Sequence, residues 1–238
     1  MASNDFEGLK ALFINCTLKP SAQAPSHTET LMKDSIAIME ANGVEVTYLR
    51  AADHRIAFGV YPDMRDHGAE VDDWPDIFWP EVRDAHILVL GTPLWLGEES
   101  SICRVVIERL YAHSGQRNDK GQYIFYGKAG GCIITGNEDG IKHAAMTCQY
   151  AMAHVGYTIP PQADCGWIGP IGPGPSYADE GSGGPESDFT QRNTTFMTWN
   201  LMHIAKMLDE AGGIPVEGNS VPRWDEGERF DHPNPEYR

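Results

Sequence analysis

The sequence predicts an α/β protein in which a five-stranded parallel sheet is covered by helices on both faces. Two observations and one rule lead there. The 238 residues are 41% hydrophobic, the usual content of a globular chain long enough to bury a substantial core. Short apolar runs alternate along the chain with segments whose apolar residues recur at helical spacing, the pattern of successive βαβ units. Right-handed crossovers between parallel strands then leave few topologies.

The first strand is the apolar run over residues 9–15, which ends in polar residues and proline. A Ser- and Pro-containing loop over 16–27 leads to a helix from Thr28, with Met32, Ile36 and Met39 on one face and Asn42-Gly43 as its stop. Residues 44–49 alternate and form the second strand, 50–73 are irregular and charged, and 74–84 hold a short helix. Ile87-Leu-Val-Leu90 gives the strongest strand signal; a turn at Gly91-Thr-Pro follows, and then a helix faced by Ile102, Val106 and Leu110. Residues 130–135 are the fourth strand, and Ile141, Ala145, Cys148 and Met152 line the next helix. The fifth strand falls within 157–167, interrupted by Pro160-Pro161. The last helix carries Met197, Leu201, Ile204 and Leu208 and stops at Gly212-Gly213. One domain spanning 1–238 is expected. It carries a Gly/Pro-rich loop at 166–188, either an active-site loop or a mobile one, and a tail over 214–238 with Trp224, Phe230 and Tyr237.

Composition excludes several functions. Eighteen basic against 34 acidic residues give a net charge of −16, a field that repels nucleic acid and anionic membrane. No apolar run is long enough to span a bilayer. The first seven residues are polar and acidic, unlike a secretory signal, so a soluble, cytoplasmic protein is expected. Five cysteines, with no Cys-x-x-Cys, read as core thiols, and nine histidines form no His-Glu-x-x-His or His-x-x-x-His pair. No metal site is expected.

In an open α/β sheet, ligands bind beyond the carboxyl ends of the strands. Three loops therefore matter. The first runs from Asn15-Cys-Thr-Leu-Lys-Pro-Ser to Ser26-His-Thr28; hydroxyls, a lysine and a helix N-terminus there suit phosphate, although Ser26 or Thr28 could equally cap the helix. The second, Gly91-Thr-Pro-Leu-Trp-Leu-Gly97, offers an apolar wall and no nucleophile–base pair or Gly-x-Ser-x-Gly elbow. The third is Thr135-Gly-Asn-Glu-Asp-Gly140, where Asn137 or, by preference, Asp139 would cap the next helix. P-loop and dinucleotide fingerprints are absent. A crevice with a phosphate end, an aromatic middle and a polar far end has the shape a flavin mononucleotide needs.

These loops resemble those of the flavodoxin-like FMN reductases. Thr17-x-Lys19 with Ser26-His27-Thr28 is similar to their first loop, Gly91-Thr-Pro-Leu-Trp-Leu-Gly97 with Ser101 and Ile107-Glu-Arg-Leu110 to their second, and Thr135-Gly136 to the start of their third. The larger, acidic Asn137, Glu138 and Asp139 depart from the small residues usual in the third loop. The resemblance implies a flavodoxin-like three-layer sandwich and FMN as cofactor, with NAD(P)H as co-substrate. It places Thr17, Lys19, Ser26, His27 and Thr28 on the phosphate. Thr92, Pro93, Leu94, Trp95, Leu96 and Gly97 would meet the ring and ribityl chain, and Thr135, Gly136, Asn137, Glu138 and Asp139 the ring's far edge. Electrons would pass from NAD(P)H through FMN to a quinone or other small acceptor, chemistry in which the cofactor reacts and no protein acid or base is required. Tyr177 in the long loop would close over the site. The alternative is a flavodoxin-type carrier of electrons between proteins, against which the bulk of the loop and tail argues. The aromatics of the tail need a receiving surface, either a neighbouring subunit of a homo-oligomer (dimer or tetramer) or the chain's own domain.

Overall fold

The structure, a computed structural model, describes residues 5–172 and 174–233. Tyr237 of the expected tail and the start of the acidic N-terminal stretch lie outside the described residues.

Along the chain come β1 (Lys10–Asn15), α1 (His27–Ala41), β2 (Glu45–Arg50), α2 (Trp79–Asp84), β3 (Ile87–Trp95), β4 (Glu98–Glu99) and α3 (Ser101–Tyr111). Then follow β5 (Ala129–Gly136), α4 (Ile141–Val155), β6 (Asp164–Ile168), α5 (Asp188–Glu210) and α6 (Val221–Asp225). Strands β1, β2, β3, β5 and β6 are parallel in the order β2-β1-β3-β5-β6, and the two-residue β4 folds back antiparallel on the end of β3. This is the flavodoxin-like sandwich, with its order reversing between β1 and β3, where a ligand crevice forms.

Successive side chains of a strand point to opposite faces, so strands covered on both sides are apolar throughout. Leu12, Ile14, Leu88, Leu90 and Ile134 pack with α2, α3 and α4; Phe13, Val89 and Ile133 pack with α1 and α5. All five cysteines are buried and free. Among the described residues no helix is long and apolar enough to cross a membrane.

Several expectations are corrected. Gly91-Thr-Pro is strand, not turn: Thr92 and Pro93 continue the ladder opposite Ile134 and Thr135, and the chain reverses only at Leu96 (φ 55°) and Gly97 (φ 82°). Two positive φ angles make a type I′ hairpin turn, matched to strand twist. Neither Asn137 nor Asp139 caps α4; its N-cap is Gly140 (φ 115°), which has no side chain to cap it. The fifth parallel strand starts at Asp164, beyond the prolines, and Thr158 contributes only an isolated bridge to Ala129. Helix α5 begins at Asp188 and turns Thr190, Thr194 and Thr198 inward beside Met197 and Leu201, leaving Leu208 half-buried. Threonine is tolerated there because the hydroxyls of Thr194 and Thr198 bond the carbonyls one turn back, at 2.9 and 2.7 Å.

The tail packs on its own chain. Gln122 Nε2 donates to Ile214 O (3.0 Å) and Asn219 Oδ1 (2.7 Å), and the Val221 amide donates to Gly121 O. Trp224 and Phe230 are covered by the guanidinium groups of Arg229 and Arg223.

Candidate functional site

The loops at the carboxyl ends of β1, β3 and β5 surround a cavity of about 460 Å³, within the range of small-ligand sites. The first wall is Thr17, Leu18 and Lys19 with His27 and Thr28, the opening residues of α1. Asn15 shapes it. Its Oδ1 accepts from the Thr17 amide (3.0 Å), and its Nδ2 donates to Ser26 Oγ (3.1 Å) and Tyr48 Oη (2.9 Å). Ser26 itself caps α1 by accepting from the Glu29 amide (3.1 Å) and stays behind the wall. Arg50 spans the loop, donating to Ala24 O (3.1 Å) and Lys19 O (3.4 Å) while paired with Glu29. Burial raises the Glu29 carboxyl, yet hydrogen bonds from Lys33 and Arg50 outweigh it and hold the group below its ordinary value. The first N–H groups of a helix have no carbonyl partner within it, and with its dipole they draw an anion to this wall.

The second wall is Pro93, Leu94 and Trp95. Thr92 is buried behind it: its hydroxyl donates to Pro93 O (2.9 Å) and accepts the Ser100 amide (2.9 Å). Ser100 in turn caps α3 and donates to Cys16 O (2.6 Å), joining the first two loops. Leu96 and Gly97 form the turn beyond the cavity. A left-handed backbone costs a leucine about 1–2 kcal/mol.

The third wall is Thr135, Gly136, Asn137 and Glu138; Asp139 is exposed and outside it. Thr135 Oγ1 lies 2.8 Å from Thr28 Oγ1, a buried link between first and third walls. Gly136 is required by proximity, since a Cβ there would sit 2.7 Å from Leu94 Cβ. Glu138 Oε2 accepts the Leu96 amide (2.7 Å), joining second and third.

A fourth wall, from the long loop, comprises Gly172, Gly174, Ser176 and Tyr177. Three ties seat it. Asn137 Nδ2 donates to Pro175 O (2.8 Å), and Asn137 Oδ1 accepts from Ser176 Oγ (3.3 Å). His27 Nδ1 accepts the Ala178 amide (3.1 Å), with Nε2 3.8 Å from Asp179 Oδ1. Tyr177 is buried, edge-on to Trp167 at 5.7 Å, and its hydroxyl accepts from Gln191 Nε2 (3.1 Å). Burial pushes this phenol up to about 12, so it stays neutral.

Of the residues expected from sequence, Thr17, Lys19, His27, Thr28, Pro93, Leu94, Trp95, Thr135, Gly136, Asn137 and Glu138 share the cavity. Ser26, Thr92, Leu96, Gly97 and Asp139 do not line it. Leu18, Gly172, Gly174 and Ser176 were missed; an apolar side chain between Thr17 and Lys19 was the available sign for the first. Among the described residues no group of three or more His, Cys, Asp or Glu side chains is placed to hold a metal.

The donor set fits FMN. Lysine, hydroxyls and a helix N-terminus converge at one end, an aliphatic and indole wall follows, and amide and carboxylate groups close the other end. Comparison with known proteins agrees. The family model described as NADPH-dependent FMN reductase matches residues 9–165. An 8-demethyl-8-aminoriboflavin-5'-phosphate synthase of Streptomyces davaonensis is 35% identical over 207 residues, 85% of this chain and 79% of that protein. A crystal structure of RosB with bound 8-demethyl-8-formylriboflavin-5'-phosphate superposes with a TM-score of 0.80 at 31% identity, covering 97% of this chain and 95% of that one. A Mycobacterium bovis protein described as divalent metal cation transporter MntH is 63% identical over 228 residues, 91% of this chain but 33% of its own length. The chain thus spans a third of that relative, and the transporter description is of the longer protein.

Proposed function

The chain belongs to the NADPH-dependent FMN reductase family, and from that premise we propose that it is an oxidoreductase carrying electrons from NAD(P)H through FMN to a quinone or other small acceptor. The observation that carries this is the single cavity wall-to-wall between Lys19 and Glu138, cationic at one end and apolar in its middle. Lys19, Thr17, Thr28 and the start of α1 hold the phosphate; Leu94 and Trp95 flank the ring; Asn137 and Glu138 meet its far edge. Bound FMN supplies hydride chemistry, with the balance NAD(P)H + H⁺ + quinone giving NAD(P)⁺ and quinol. The protein's own groups bind, orient and exclude water, chiefly through Tyr177 and the long loop. A homo-oligomer is part of the reading, with Phe196 and Met207 of α5 exposed and free for a partner subunit.

A second reading, in which the flavin is substrate, is favoured by the synthase and RosB likenesses, the latter covering 97% of this chain and so extending beyond the sandwich. One experiment separates them. The chain reconstituted with FMN is supplied with NAD(P)H and naphthoquinone and quinol is quantified; in a parallel reaction it is given dioxygen and an amino donor, and the flavin is recovered and weighed by mass spectrometry. Many quinols formed per unchanged FMN supports the reductase; a flavin of altered mass, with no quinol beyond background, supports the second reading.

A further inference from the structure

The mouth of the cavity carries an apolar collar that flavin binding leaves unexplained. Leu96 is 90% exposed and Ile171 68%, with Ile168 and Trp95 also open to solvent. All are fixed around the third wall. The Leu96 amide is held by Glu138, Gly169 beside Ile168 donates to Gly136 O (2.9 Å), and Gly172 beside Ile171 donates to Asn137 O (3.3 Å). Gly136, Asn137 and Glu138 line the cavity, so the collar continues its apolar wall outward through Trp95.

Leu96 violates two preferences at once. It stands with φ of 55° in a type I′ turn, where Asn, Asp or Gly is the ordinary residue, and it spends an isobutyl side chain on solvent. A strained, exposed residue beside a ligand cavity points to function. Charge narrows the occupant: Glu138 lines the cavity and holds the Leu96 amide, in a chain with net charge −16. An anionic acceptor is repelled there.

We propose that Leu96, Ile168 and Ile171 seat the apolar substituent of the electron acceptor, so that neutral quinones bearing an alkyl or prenyl tail are preferred over bare or anionic ones. This deepens the reductase reading and rests on it. The test uses the FMN-reconstituted full chain and three naphthoquinones: unsubstituted, hexyl-substituted and sulfonated. The hexyl compound should exceed the bare ring in kcat/KM by about tenfold, since burying a few methylenes is enough, and the sulfonate should fall below both. Leu96→Asn, which relieves the turn, and Ile171→Ser should collapse the hexyl-to-bare ratio towards one. Equal kcat/KM for hexyl and bare rings, or a ratio unmoved in both variants, overturns the proposal. So does a change of molecular mass by light scattering in the variants, which makes the collar a contact between copies. Failure of the reductase reading looks different: no quinone is reduced. The ratio of hexyl to bare affinities, read from quenching of tryptophan fluorescence, then decides the collar by itself.

Discussion

Two long irregular segments border the sheet, and they are held by opposite means. Residues 54–73 are pinned by a fully buried ion pair, Arg109 with Asp72 at 2.8 Å. The guanidinium donates to Ala57 O and Pro62 O, each at 3.0 Å, and the carboxylate accepts the amides of Ala57, Met64 and Trp74. The described residues of 169–187 bury Tyr177 against Trp167 and are otherwise seated by neutral or partly exposed groups, Asn137, His27 and Gln191. Removing one partner of a buried pair strands a charge, whereas a neutral hydrogen bond is worth about 0.5–1.5 kcal/mol net. The first segment is therefore fixed by a buried charge pair although half of its residues are exposed, and the second, anchored in the core by Tyr177 but otherwise held by neutral bonds, is a cover expected to loosen at the lower cost.

The largest expected effect breaks the first segment. Asp72→Ala leaves Arg109 buried without its counter-ion and should cost about 3–5 kcal/mol, lowering the unfolding midpoint by roughly 10 °C or more in calorimetry. A midpoint within a degree of the parent contradicts this account of the segment.

The same region carries a pH signature. Burial, aided by the neighbouring Arg109 charge, pushes His113 down to about 4, and its neutral ring accepts the Trp74 Nε1 hydrogen (3.0 Å) and stacks on Trp79 at 3.5 Å between centroids. The unfolded chain takes up this proton near pH 6.5, before the folded one does. The contribution is complete above that pH and is lost as pH falls towards 4. His113→Gln should flatten this part of the stability–pH curve measured by denaturant unfolding; an unchanged slope would remove His113 from it.

Releasing the cover should act on the ligand instead. Asn137→Ala removes the bonds to Pro175 and Ser176 together with the side chain's own place on the cavity wall, and should speed FMN dissociation about tenfold in stopped-flow fluorescence, with little change in unfolding midpoint. Equal losses of both would merge the two segments into one cooperative unit. The smallest effect is expected of Tyr177→Phe, which keeps the ring against Trp167 and loses the hydroxyl's bonds with Gln191 and Asp34, for a change of a few-fold in the same rate.

The contrast also explains what was legible in the sequence. The three walls at strand ends follow from local signals, because Thr17, Lys19 and Thr28, or Leu94 and Trp95, sit within one loop and its flanking elements. Ser26 and Thr92 carry the same chemistry, yet their side chains serve the backbone, a distinction that depends on which way each hydroxyl turns. The ties of the cover pair Asn137 with Pro175 and His27 with Ala178, and the core pair joins Asp72 to Arg109. Such partners are far apart in the chain and have no period to reveal them. The inward threonines of α5 were masked by Ile204 and Leu208, whose spacing imitates a core face.

The central claim is that FMN lies with its phosphate on the first wall. Isothermal titration of the flavin-free protein with FMN and with riboflavin, repeated on Lys19→Ala and Thr28→Val, tests it directly. Charge-assisted bonds to phosphate are the stronger kind. The account predicts one FMN per chain, bound more tightly than riboflavin by the parent, and a loss of affinity in both variants that is larger for FMN than for riboflavin. Equal losses for the two ligands, or no flavin bound by the parent, would contradict it.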